Sequence, residues 1–151
     1  MSPTVMGVME APLALDEPTV RRPLRTGELA PSWRIASIAV WILVVFAYSA
    51  VWKTSVELGI GTWWLGARSS PQPVFVRLIP FVIAIGFGLV SSYPLRRLPF
   101  VNVVGALVMA AIAIPDFSRS IGLAVIELVI AGAVLLVAVG SFTGVVKTDD
   151  R

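Results

Sequence analysis

Residues 35–52 read IASIAVWILVVFAYSAVW. The run holds 18 residues without a charge, the length a helix needs to cross a bilayer. Trp33 and Arg34 precede it, and Trp52 and Lys53 close it. At ~1.5 Å per residue the two tryptophans stand ~28 Å apart along a helix. The hydrocarbon layer is ~30 Å thick, and tryptophan prefers its two edges. The stretch therefore reads as a transmembrane helix with an aromatic anchor at each end, and it sets the class of the whole chain.

Working outward, two further uncharged runs follow. LIPFVIAIGFGLVSSYPL lies between Arg77 and Arg96, and LPFVNVVGALVMAAIAIP lies between Arg97 and Asp116. Pro94 and Pro99 bracket the joint between them, and Pro115 closes the second. Proline is tolerated in a helix's first turn and tends to end a helix that reaches it. These runs give spans over residues 78–94 and 98–115, joined by a tight turn at Arg96 and Arg97. A last run, residues 121–146, is interrupted only by Glu127. The expected fold is an all-α, polytopic integral membrane protein with four transmembrane helices in a small bundle over residues 33–146. The rival arrangement makes the second and third runs a hairpin that dips in without crossing.

Composition agrees with a chain solvated mostly by lipid. Of its 151 residues, 57% are hydrophobic and 14% charged, against about 45–50% and about 25% in soluble domains. With no cysteine, disulfides, thiolate metal sites and cysteine nucleophiles are excluded. With no histidine, the commonest general base and metal ligand is missing. The net charge of +3 is small and scattered, and gives no reason to expect a nucleic-acid partner.

Residues 1–32 hold five of the eleven prolines and no apolar period. They read as a disordered tail, and residues 147–151 as a short C-terminal one. The first apolar run begins only at Ile35 and is followed by no small-residue cleavage site, so it is not a signal peptide. Four spans put both termini on one side. That side then carries Arg21, Arg22, Arg25, Arg34, Arg96, Arg97, Lys147 and Arg151, against Lys53, Arg68, Arg77 and Arg119 opposite. Eight against four places both termini in the cytoplasm of a plasma or inner membrane.

The loop over residues 53–77 then faces outward and contains GTWWLGARSSPQP at residues 61–73. Trp63 and Trp64, like Trp33 and Trp52, read as interfacial anchors at the headgroup level. Gly59, Gly61 and Gly66 let the backbone bend back toward the bilayer. A sharper reading makes the pair a docking surface or a lid over the bundle.

Helices approach closely in lipid where small residues line a face. Ala84, Gly88 and Ser92 recur every four residues in the second span, as do Asn102, Ala106 and Ala110 in the third. Ala124, Ala131 and Ala138 recur every seven in the fourth. These stripes read as packing faces within the bundle, with contact to another subunit as the alternative. Gly140 and Gly144 add a GxxxG of little weight.

Few polar residues remain. Glu127 lies ~9 Å inside the last span, where a carboxylate needs a partner or a proton. Arg119 or Arg77 is the expected partner, and an ion or ligand role is the alternative. Asn102 reads as a bond to a neighbouring helix. Ser37 is placed to accept the indole N–H of Trp41. Asp116, after Pro115, reads as a cap or turn residue.

No paired intramembrane carboxylate, phosphate loop or metal motif is seen. The GxG at Gly86 and Gly88 sits inside an apolar run and means packing. Small multidrug-resistance proteins and fluoride channels are also short four-span chains. However, the former place a glutamate in the first span, which is uncharged here, and the Asn and Phe pattern of the latter is not reproduced. The expectation is a non-enzymatic membrane component without a cofactor. Its partners are the bilayer and either other membrane subunits or copies of itself. A small transporter or channel lined by Glu127 and Asn102 is the alternative.

Overall fold

The computed structural model describes residues 28–145. Its elements are helices α1 (Pro31–Leu58), α2 (Val74–Arg77), α3 (Ile79–Ser92), α4 (Leu98–Ala113) and α5 (Ile121–Ser141). A two-stranded hairpin is formed by β1 (Gly66–Ala67) and β2 (Ser70–Pro71). Helices α1, α3, α4 and α5 pack in a ring, α1 against α3 and α5, and α4 against the same two. Three helical segments are long and apolar enough to cross a bilayer: Pro31–Leu58, Leu98–Ser118 and Ile121–Gly144.

α1 starts at Pro31, where a missing N–H costs nothing because no carbonyl precedes it in the helix. It is 28 residues long, ~42 Å, and runs more than a turn beyond Trp52. It stops where Gly59 adopts φ 73° and returns its N–H to Ser55 O, a left-handed cap that glycine takes without steric cost. Its buried stripe is Ser37, Trp41, Val44, Tyr48, Val51 and Ser55, spaced by fours and threes along one face. The outward faces carry Ile35, Ile42, Leu43 and Phe46. Polar groups lie inside and large aliphatics outside, the inverse of a soluble bundle and the arrangement that lipid favours.

The second apolar run forms a shorter helix than its expected span over residues 78–94: α3 ends at Ser92, and Tyr93 is extended. α3 has 14 residues, ~21 Å, and the short α2, which lies before the expected span, precedes it across a turn at Leu78. Pro80 separates the two, because it has no N–H to continue the ladder from α2. The fourth run also ends earlier than expected. α5 stops at Ser141, a 3₁₀ turn covers Phe142–Gly144, and Val145 is extended.

Val145 pairs with Leu29 in an antiparallel bridge, and Ala30 N–H donates to Gly144 O at 2.9 Å. Both ends of the described chain therefore meet at one end of the bundle. Gly140 and Gly144 form a slot for the ring of Trp33, since a Cβ on Gly144 would fall 1.9 Å from Trp33 Cδ1. This GxxxG is thus occupied within the chain. The expected disordered tail falls largely outside the described residues, as does the C-terminal one. Residues 28–32 are ordered, with Leu29 buried.

Small residues pack where the ring closes. Ala84, Ala106, Ala124, Ala131 and Ala138 are buried, Ala110 is half-buried, and Gly88 faces Trp41. Ser92 departs from its expected stripe: it is exposed, and the buried serine at that end of α3 is Ser91.

Candidate functional site

The loop after α1 folds inward. Thr62 is buried; its hydroxyl accepts Leu65 N–H at 3.2 Å and its carbonyl accepts Gly66 N–H at 2.8 Å. This turn drives Trp63 and Trp64 toward the helices. Trp64 is wholly enclosed, with its ring centroid 5.8 Å from Tyr48, 6.2 Å from Trp52 and 6.2 Å from Phe81. Its indole N–H donates to Glu127 Oε1 at 2.9 Å. Trp63 is half-buried; its backbone N–H donates to Asp116 Oδ1 at 2.7 Å and its indole N–H to Ile112 O at 2.7 Å. The Ile112 carbonyl is available because α4 gives way to a 3₁₀ turn at Ile114.

Trp64 is thus enclosed at the bundle's end, where a buried carboxylate accepts its N–H. The loop packs its two tryptophans against the helices. Glu127 also departs from expectation. Its partner is an indole from the loop, whereas Arg77 Nε donates to Gln72 O at 2.7 Å. Asp116 performs its turn role through its backbone, whose carbonyl accepts Arg119 and Ser120 N–H. Its side chain reaches back 53 residues to Trp63.

Two carboxyls are buried under the loop: Asp116 and Glu127 are both fully enclosed, each bonded through one oxygen to a neighbouring loop tryptophan. Tyr48 is also buried, its ring against that of Trp64. Asp116 Oδ2, Glu127 Oε2 and Tyr48 Oη have no hydrogen-bond partner among the described residues. A buried polar atom left so costs about 1–3 kcal/mol. No run of sequence carries this pair as a motif. The available signal was the pair of acids at either end of the short 116–127 segment, across one turn.

A second polar node lies toward the chain ends. Asn102 Oδ1 accepts Trp41 Nε1–H at 3.0 Å and Ser91 Oγ–H at 3.1 Å, and its amide donates to Ser37 Oγ at 3.1 Å. One α4 side chain thereby ties α1 and α3 together. Trp41 N–H does not go to Ser37, since that hydroxyl donates to Trp33 O and accepts from Asn102. Gly105, one turn along α4, makes room for Trp41. A Cβ there would fall 2.6 Å from Trp41 Cζ2 and 2.9 Å from Phe87 Cδ1. Trp41 stacks on Phe87 with centroids 5.1 Å apart.

Glu127 and Asn102 do not share one lining. Asn102 and Asp116 are ~20 Å apart along α4 and its 3₁₀ extension, and Glu127 sits at the Asp116 level. Between the nodes lie Val44 on α1 and Ala106 and Met109 on α4, each at most 2% exposed. Among the described residues no group of three or more His, Cys, Asp or Glu gathers to hold a metal ion.

Among the clefts that open elsewhere beside α1 are two. One of about 170 Å³ under the loop is lined by Trp52, Ser55, Gly61, Leu65, Arg68 and Arg77, among others. The other, about 220 Å³ and apolar, opens between α1 and α3 over Gly88. The chain matches no family model, no curated protein and no solved structure.

Proposed function

We propose that the chain is a four-span integral protein of a plasma or inner membrane, with both termini cytoplasmic, acting as a non-enzymatic subunit of a membrane assembly. The second crossing is read as α2 and α3 together, residues 74–92, ~28 Å at helical rise. The bridge between Leu29 and Val145 supports an even number of crossings, and the eight-to-four distribution of Lys and Arg supports the orientation. Single cysteines at Ser2 and Ser70 test it in this cysteine-free chain. An impermeant maleimide is expected to label Ser70→Cys in intact cells and to spare Ser2→Cys. Labelling of both or of neither refutes the arrangement.

The observation that carries the subunit reading is the groove between α1 and α3. Ile38, Ile42, Val45, Ile85 and Leu89 frame it over Gly88, and Ile42, Ile85 and Leu89 are exposed on its rim. A membrane helix from another chain fits such a surface, because small residues at its floor permit close approach. Native mass spectrometry after mild extraction is the test. A stoichiometric membrane partner is expected, lost in Leu89→Trp and kept in Gly86→Leu, whose Cβ meets open space. A monomer in the parent rules the reading out, while a homo-oligomer lost in Leu89→Trp makes the partner a second copy. The transporter reading rests on Glu127, now with Asp116 rather than Asn102 at its level.

A further inference from the structure

The cleft under the tryptophan loop is lined by two cations, Arg68 and Arg77, and by no acid. It lies between the end of α1, the β1–β2 hairpin and α2. Each arginine is fixed by one backbone carbonyl. Arg77 Nε donates to Gln72 O, and Arg68 Nη2 donates to Val56 O in the last turn of α1, where carbonyls lack a helical partner. A guanidinium has five N–H groups, so both keep most of their donors. Neither pairs with a carboxylate among the described residues: Glu57 is exposed and pairs with Lys53 at 3.8 Å, and Asp116 and Glu127 bond the two tryptophans. The remaining walls are apolar, with Trp52, Val56, Ile60 and Leu65 among them. Trp52 also walls a second cleft of about 300 Å³, with Ser49, Leu78 and Phe81, where α1 meets α3. The Ser49 hydroxyl there is spent on Val45 O, so this second surface offers a ligand only apolar contact.

We propose that this cleft binds the phosphate of an anionic phospholipid between Arg68 and Arg77, with an acyl chain lying over Trp52 and Phe81 along the seam of α1 and α3. At about 170 Å³ the cleft is smaller than the ~300–1,000 Å³ of sites that enclose a whole small molecule. It takes a headgroup and leaves the rest of the lipid outside. Two planar guanidiniums with unspent N–H groups match the oxygens of a phosphate. Trp52 closes the uncharged run of α1, which sets the cleft at the edge of the hydrocarbon, where lipid phosphates lie. The second cleft shares Trp52 with the first and gives the chain its place, which a free anion would not need. The site rests on membrane insertion, and on neither the orientation of the chain nor a subunit partner.

Phosphatidylglycerol with brominated acyl chains, titrated into the full chain in mild detergent, reads both contacts, because bromine quenches a tryptophan that the chain touches. Saturable quenching is expected, beyond that from brominated phosphatidylcholine with the same chains. Trp52→Phe should remove most of this difference. Arg68→Gln and Arg77→Gln should each raise the midpoint about tenfold, the weight of one charge-assisted contact. Ala67→Glu keeps both arginines but adds a carboxylate to the cleft wall, and should abolish the difference. Lys53→Gln, which removes a cation of α1 that does not line the cleft, should leave it unchanged. Equal quenching by the two lipids, or an equal loss in Lys53→Gln, overturns the site. Displacement of the lipid by inorganic phosphate at matched concentration makes the ligand a free anion and overturns the lipid. A difference retained in Trp52→Phe overturns the path of the chain. The titration is read whether or not another subunit is bound, so it fails separately from the subunit reading.

Discussion

The two polar nodes of this bundle solve the same problem differently. At the Asn102 node every contact is between neutral groups, and donors match acceptors across α1, α3 and α4. At the Glu127 end two acids and a phenol are buried, and an oxygen of each lacks a hydrogen-bond partner among the described residues. In a medium that supplies no water, the first node is complete as built. The second is not. The difference separates an interior that fixes helices from one that holds a loop.

The largest way to break this contrast is to empty the loop-side node. Trp64→Ala removes a fully enclosed ring and the donor to Glu127, and should cost about 3–5 kcal/mol in chemical unfolding in detergent. A loss well below about 1 kcal/mol places the ring at the surface and removes the basis for a lid. Next in size is the Asn102 side. Gly105→Leu drives a side chain into Trp41 and Phe87 and should cost about 1–3 kcal/mol by overpacking. Gly122→Leu, open in every direction, is the control and should sit within about 0.5 kcal/mol of the parent. Equal effects at the two glycines dissolve the argument for a Trp41 slot.

The smallest effects sharpen the comparison most. Trp41→Phe and Trp64→Phe each delete one indole N–H while keeping most of the ring, and each should cost about 0.6–1.7 kcal/mol. The first loss should be the same at every pH, because Asn102, Ser37 and Ser91 do not titrate. The second should change with pH, because its acceptor is the titratable carboxyl of Glu127. Two pH-independent losses would make the nodes equivalent and the loop a passive plug.

Much of this was legible along the chain because it rests on local properties. Unbroken apolar length, prolines at Pro94, Pro99 and Pro115, and glycine at the end of α1 each act on neighbours in sequence. Pro80 was equally legible and marks where α3 begins, since a missing N–H breaks a ladder wherever it falls. The polar contacts were not legible in this way. Ser37 appeared to suit Trp41 because it lies one turn away, but the acceptor is Asn102, 61 residues on. Arg119 and Arg77 appeared to suit Glu127 by charge, but a neutral indole 63 residues away reached it.

From sequence alone came the expectation of a helical chain with four apolar runs, three of which form segments long enough to cross a bilayer, and a short list of polar residues needing partners. Apolar length and helix breaking are settled within a few turns, where the solvent of each side chain is decided by its own run. Which partner each polar residue found was decided only in three dimensions. The ring order of α1, α3, α4 and α5 sets which faces meet, and the turn at Thr62 folds the loop in rather than out. Asp116 and Glu127, separated by a turn, both reach the tryptophan loop because α4 and α5 pack side by side. Helical period gives the face on which a residue lies, but not which face lies opposite.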